Sequence, residues 1–172
     1  MRTSTKVRII FLIAAVMSLW VTSAVATPVE NFTAHLTGDE EVPPVETDAV
    51  GQALFQWDGS DVRFRLIVDE ISNVTQAHIH CGARGANGPV VQFLFGAVPA
   101  GGGPVEGVLS SGSFDPSDKT CTLAEGEVSL LDAMRSGRTY ANVHTDDGDP
   151  ETRGGPGDTP TGEIRGQIAA RG

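Results

Sequence analysis

From residue 30 onward, apolar and polar positions alternate with a period of two, the pattern of strands half buried in a sheet. Phe32, Ala34 and Leu36 share one face of a first segment, with Thr33 and His35 on the other. Ala53, Phe55 and Trp57 repeat the pattern. Asp58-Gly59 then reads as a hairpin turn into Val62, Phe64, Leu66 and Val68, whose opposite face carries Arg63 and Arg65. Strand-like segments follow at 74–80, 90–95, 105–114, 139–145 and 162–169. Leu130 to Ser136 breaks the alternation and reads as a short helix, with Ser129 to cap its start and Gly137 its end. Residues 146–162, DDGDPETRGGPGDTPTG, form a long polar loop with no room for an element of their own. A loop of that length is usually functional or disordered. Short strands between Gly and Pro turns predict an all-β fold, an antiparallel, Greek-key-like β-sandwich or barrel with one short helix near 129–136.

Composition agrees with that class. The 172 residues include 21 Gly and 10 Pro, which disfavour helix interiors, while 40% apolar residues exclude a fully disordered chain. The first 26 residues differ from the rest. Arg2, Lys6 and Arg8 precede an apolar run from Ile9 to Val21, and Ala24-Val25-Ala26 supplies small residues in an A-x-A arrangement. This is the layout of a secretory signal peptide cut after Ala26, and the run is shorter than the roughly 20 residues of a membrane span. The expected organisation is a signal peptide over 1–26 and a single secreted, extracellular or periplasmic domain over 27–172.

Without that leader, nine basic residues face 22 acidic ones, a net charge of −13 with His neutral. Such a balance repels phosphate backbones and anionic lipid, which argues against nucleic acid and membrane surfaces as partners. It suits cations, basic partners or simple solubility. Cys81 and Cys121 are an even pair in an exported chain, which predicts a disulfide. The alternative is that Cys81, beside His80, ligates a metal.

Candidate chemistry rests on the histidines. His78 and His80 are two apart on a predicted strand, so they project from one side, with Ala77 and Ile79 on the other. His144 shares a face with Asn142 and Tyr140 on a second predicted strand. If the two strands are near neighbours, three neutral imidazoles with an open position would suit copper or zinc. The competing reading has these side chains bonding across the sheet and fixing loop ends. Asp146 or Asp147 would orient an imidazole from behind, and His35 is a bystander. Asp146, Asp147, Asp149 and Glu151 offer oxygens to calcium, but their spacing is not that of an EF-hand loop and Pro150 interrupts it, so a calcium role is not favoured. Asn31-Phe-Thr33 and Asn73-Val-Thr75 match the glycosylation acceptor pattern. Gly101 to Gly103 reads as a flexible turn.

The blocks FTAHLTGDEEVPPVETDAVGQALF (32–55), AHIHCGARGANGPVV (77–91), YANVHT (140–145) and GEIRGQI (162–168), in this order, resemble the CHRD domain family. That family is named from repeats in the extracellular protein chordin and is common in bacterial exported proteins. The resemblance covers about 32–169 and implies an all-β, extracytoplasmic domain without an established general activity. Its motif residues correspond here to Glu41, Pro43, Pro44, His78, His80, Gly82, Gly88, Pro89, His144, Gly162, Arg165 and Gly166. The segment between VHT and GEIRG is longer here than is usual in the family. The pairing of AHIH with a later VHTDDGD also looks like the copper-ligand layout of copper/zinc superoxide dismutases, and Arg165 would then resemble their anion-attracting arginine. The likeness does not extend to zinc, because residues 81–143 contain no His cluster. The expected function is an exported binding module with an unidentified extracellular or periplasmic partner and a mononuclear His-rich site. The alternatives are a copper-dependent dismutase-like enzyme and a purely structural or adhesive domain.

Overall fold

The computed structural model describes residues 29–151 and 153–171, so the expected signal peptide lies outside the described residues. The strands are β1 (Glu30–Thr37), β2 (Val50–Trp57), β3 (Val62–Ser72), β4 (Val74–Cys81), β5 (Val90–Gly96), β6 (Pro104–Phe114), β7 (Thr120–Leu123), β8 (Gly126–Ser129), β9 (Thr139–Thr145), β10 (Ile164–Gln167) and β11 (Ala169–Ala170). A 3-10 turn spans Gly38–Glu40, and helix α1 spans Leu130–Arg135.

The main sheet is antiparallel in the order β5-β4-β9-β10-β1-β2-β3-β6, with β11 continuing the line of β10 along β1. It curls until its two edges meet, where Ser110 Oγ on β6 donates to the Leu94 carbonyl on β5 at 2.8 Å. The result is a nearly closed barrel, and counting that seam, β3 to β6 take a Greek-key arrangement. The two-residue alternation explains the curvature. Phe32, Ala34, Leu36, Ala53, Phe55, Val62, Leu66 and Val68 all point into one core, while Arg63 and Arg65 face solvent. Each fully buried Leu or Phe among them contributes about 1.5–3 kcal/mol.

Asp58 makes the β2–β3 turn by accepting from the Ser60 and Asp61 N–H groups at 3.1 Å, with Gly59 at φ 104. Helix α1 forms where expected. The Ser129 hydroxyl accepts from Asp132 N at 3.1 Å, Gly137 adopts φ 66 just beyond the end, and Leu130, Ala133 and Met134 are buried. Cys81, at the end of β4, is bonded to Cys121 on β7, 40 residues away, so the β7–β8 hairpin is tied to the barrel. That bond leaves no thiolate for a metal.

The structure departs from the sequence expectation in two places. The β7–β8 hairpin lies in a stretch to which the sequence pattern assigned no element, because four-residue strands carry too little alternation to register. The segment 162–169 is not one strand: β10 ends at Gln167, and pairing with β1 resumes only at Ala169–Ala170. Among the described residues, no helix is long and apolar enough to cross a membrane.

Candidate metal centre

Most strands of the barrel are buried on one face only. β9 is buried along its whole length and most of β4 and β10 likewise, so their outward face is covered as well. The segment around 40–47, the 82–89 connection and the 153–163 loop supply contacts to that face, and the chemistry sits beneath them.

Register decides which side chains meet there. Across β4 and β9, His78 pairs with Asn142, His80 with Tyr140 and Gln76 with His144. Arg165 on β10 lies beyond Asn142, and Phe93 on β5 lies on the other side of His78. The strands carrying His-x-His and His144 are therefore direct neighbours. His78, His80 and His144 are all buried, and each offers a ring nitrogen within 4.8 Å of the others'.

Backbone carbonyls set two of the tautomers. His80 Nδ1 lies 2.8 Å from the Gly88 carbonyl, and His144 Nδ1 lies 2.9 Å from that of Pro160. A carbonyl can only accept, so both Nδ1 atoms carry hydrogen and both Nε2 atoms present lone pairs. His144 Nε2 stands 3.2 Å from His78 Nδ1. Two nitrogens each at about 2.0–2.1 Å from one ion stand about 3 Å apart at tetrahedral or square angles. Nε2 of His78 and of His80 are buried with no hydrogen-bond partner among the described residues. Asp146 and Asp147 do not orient these rings from behind, as the sequence had suggested. The two carbonyls do.

The cluster is held neutral. Burial is the main cause for all three rings. It pushes His78 down to about 4, reinforced by the neighbouring charges of His144 and His80. His80 and His144 are lowered too, although their bonds to Gly88 and Pro160 oppose the shift. Neutral imidazole is the form that ligates a metal.

The surroundings are rigid. Tyr140 stacks on His80 with centroids 4.8 Å apart, and the Arg165 guanidinium lies 3.4 Å from the Tyr140 ring centroid. Arg165 is 1% exposed and donates to Asn87 Oδ1 and to the carbonyls of Ala83 and Ala86. It braces the 82–89 connection. Gly88 has to be glycine, since a Cβ there would lie 1.6 Å from the Cys81 carbonyl oxygen. Phe93 packs edge-on against His78 with centroids 4.3 Å apart.

Beside the histidines is a second buried pair. Asn142 donates to Glu41 Oε2 at 3.4 Å, while Glu41 Oε1 and Asn142 Oδ1 have no hydrogen-bond partner among the described residues. Burial pushes Glu41 up to about 7, against the opposing charge of Arg165. Glu41 also lines a cavity of about 780 Å³ with Pro43, Pro44, Asn87, Pro156 and Gly162, so several motif residues meet at one place. Asn142, Tyr140 and Pro160 were not singled out as site residues by sequence, although the shared face of Tyr140, Asn142 and His144 was readable.

The remaining candidates separate. His35 is exposed on β1 and does not join the cluster. The acidic group that the loop brings together is Asp146, Asp147 and Asp158, without Asp149 or Glu151. Asn73 is a turn residue at φ 56 whose amide donates to the Gly157 carbonyl and accepts from Gly103 N. Asn31 accepts from Gln56 Nε2. Gly101 and Gly103 both have positive φ, as a turn of that kind requires.

Neither the curated proteins nor the solved structures contain a match to this chain, and the likeness to copper/zinc superoxide dismutases is not borne out. The model of the CHRD domain matches residues 32–154, which include all three histidines, Glu41 and the disulfide cysteines, and leave GEIRGQI beyond the matched stretch. Covering well over half of the sequence, that match settles the family: the chain belongs to the CHRD domain family.

Proposed function

We propose that this protein is an exported binding module whose ligand is a single copper or zinc ion held by His78, His80 and His144. The observation that carries the reading is the set of buried, partnerless nitrogens. A buried polar atom without a partner costs about 1–3 kcal/mol, and two imidazole nitrogens in that condition lie beside a third. An ion would take one nitrogen from each ring, His80 Nε2 and His144 Nε2 among them, and the Gly88 and Pro160 carbonyls supply the outer contacts that ligating histidines normally have. When bound, zinc would polarise a ligand and copper could also change oxidation state. Export accords with the disulfide and with the apolar leader.

A dismutase-like copper enzyme is less well supported. It needs an arginine offered to an incoming anion, whereas the Arg165 guanidinium is committed to Tyr140, to the Ala83 and Ala86 carbonyls and to the Asn87 side chain.

The test is metal stoichiometry. The folded, disulfide-bonded chain is loaded with Zn(II) or Cu(II), dialysed and assayed for bound metal beside a His78→Ala/His80→Ala double variant. One equivalent in the parent and none in a folded variant is expected. No retained metal in a folded parent would overturn the reading and leave the histidines a structural role.

A further inference from the structure

We propose that Asp146, Asp147 and Asp158 form a calcium site, separate from the three histidines and built by the acidic loop after β9. Each offers a carboxylate oxygen within 4.8 Å of the other two. Oxygens sharing one calcium ion at about 2.3–2.6 Å stand at most about 5 Å apart, so this spacing suits one ion. An all-oxygen donor set selects a hard cation, whereas copper and zinc prefer imidazole.

Asp158 carries the argument. It is 3% exposed, and both of its carboxylate oxygens are buried with no hydrogen-bond partner among the described residues. Glu163, five positions on, provides the contrast. Also buried, it accepts from Thr47 Oγ1 at 2.7 Å, Thr145 Oγ1 at 2.6 Å and Gly157 N at 2.8 Å. One buried carboxylate is therefore surrounded by donors from three segments, whereas the other has none among the described residues and two more carboxylates beside it instead. Buried charges persist when they are paired or coordinate a metal. Arg153 does not fill that role: its guanidinium lies 3.6 Å from Asp146 Oδ2 and is half-exposed. Asp146 Oδ1 and Asp147 Oδ1 accept from Gly148 N and Asp149 N, which fixes both side chains in the turn.

The test uses the folded chain with its disulfide intact, stripped with chelator and titrated with calcium chloride alone, read by calorimetry and thermal unfolding. One calcium per chain is expected. At about 10 mM calcium, with a Kd of about 0.1–1 mM as in extracellular modules, Tm should rise by about 4–8 °C. Magnesium at the same concentration should give a smaller rise. Asp158→Asn should abolish binding. Asp147→Asn, at an exposed position where folding is not at stake, should weaken it roughly tenfold. The His78→Ala/His80→Ala variant should leave the calcium isotherm unchanged, so this site and the histidine site fail or stand separately. No heat and no rise in Tm in the parent, or an isotherm that neither Asp variant alters, would overturn the site.

Discussion

Replacing Glu41 by Gln exchanges a carboxyl for an amide of the same shape at a position that is 5% exposed. Burial moves this group from 4.5 up to about 7, outweighing the charge of Arg165 and the bonds from Asn142 and the Val42 N–H. Between these two values the native state holds a proton that the unfolded chain has released. The native state then binds more protons, so stability falls as pH rises through the window. Each tenfold change in proton affinity is worth ~1.4 kcal/mol, which makes the whole interval worth ~3 kcal/mol. Gln imitates the protonated form and does not titrate. The two proteins should therefore be equally stable at about pH 4, and Glu41→Gln should be more stable by up to ~3 kcal/mol at about pH 8.

The histidines titrate in an overlapping window in the opposite sense. His78, lowered from 6.5 to about 4, contributes stability that is lost as pH falls through that range. The histidines are common to both proteins and drop out of the difference. Urea unfolding at about pH 4, 6 and 8, followed by Trp57 fluorescence with the disulfide intact, measures it. A difference that does not change with pH would refute the raised proton affinity. A variant less stable than the parent at about pH 8 would refute the claim that desolvation outweighs Arg165.

Two further outcomes follow from packing. Closing a loop of 40 residues restricts the unfolded chain by ~4 kcal/mol, so Cys81→Ser/Cys121→Ser should lose about that much in urea unfolding. Gly88→Ala would place a Cβ 1.6 Å from the Cys81 carbonyl oxygen, so the backbone must move. It should cost ~3 kcal/mol or more in thermal unfolding and, by displacing the carbonyl that holds His80 Nδ1, should also lower zinc retention.

The fold was legible because the signal is repetitive. Phe32, Ala34 and Leu36, then Ala53 and Phe55, then Val62, Leu66 and Val68 each alternate over enough residues to fix a strand and its inward face. The His-x-His pair was legible for the same reason. What the sequence could not supply was adjacency. That β9 lies between β4 and β10 is a long-range fact, and with it came Asn142 beneath Arg165 and His144 beside His78. The covering of the outer face was equally out of reach. β4 and β9 are buried along most of both faces, with histidine, asparagine and tyrosine on the outer one, and only the path of the covering loops brings that about. Asp158 was invisible for a related reason. It stands apart from the run beginning at Asp146, amid Gly, Pro and Thr, and only the path of the loop brings the three acids together.

That path also links the acidic loop to the histidines. Its Pro160 carbonyl fixes the tautomer of His144, and its Gly157 and Thr159 N–H groups bond to Glu163 and Thr145. Glu163 in turn accepts from Thr47 in the β1–β2 connection and from Thr145 at the end of β9. One buried carboxylate thus ties three segments together where the loop closes over the outer face. Asp158 stands in the same closure, two residues before Pro160. Asp146 begins the loop and Asp158 nears its end, so a cation drawing their carboxylates together would hold both ends at the same spacing that delivers Pro160 to His144. The loop after β9 therefore covers the histidine cluster and supplies one of the two carbonyls on which its geometry depends.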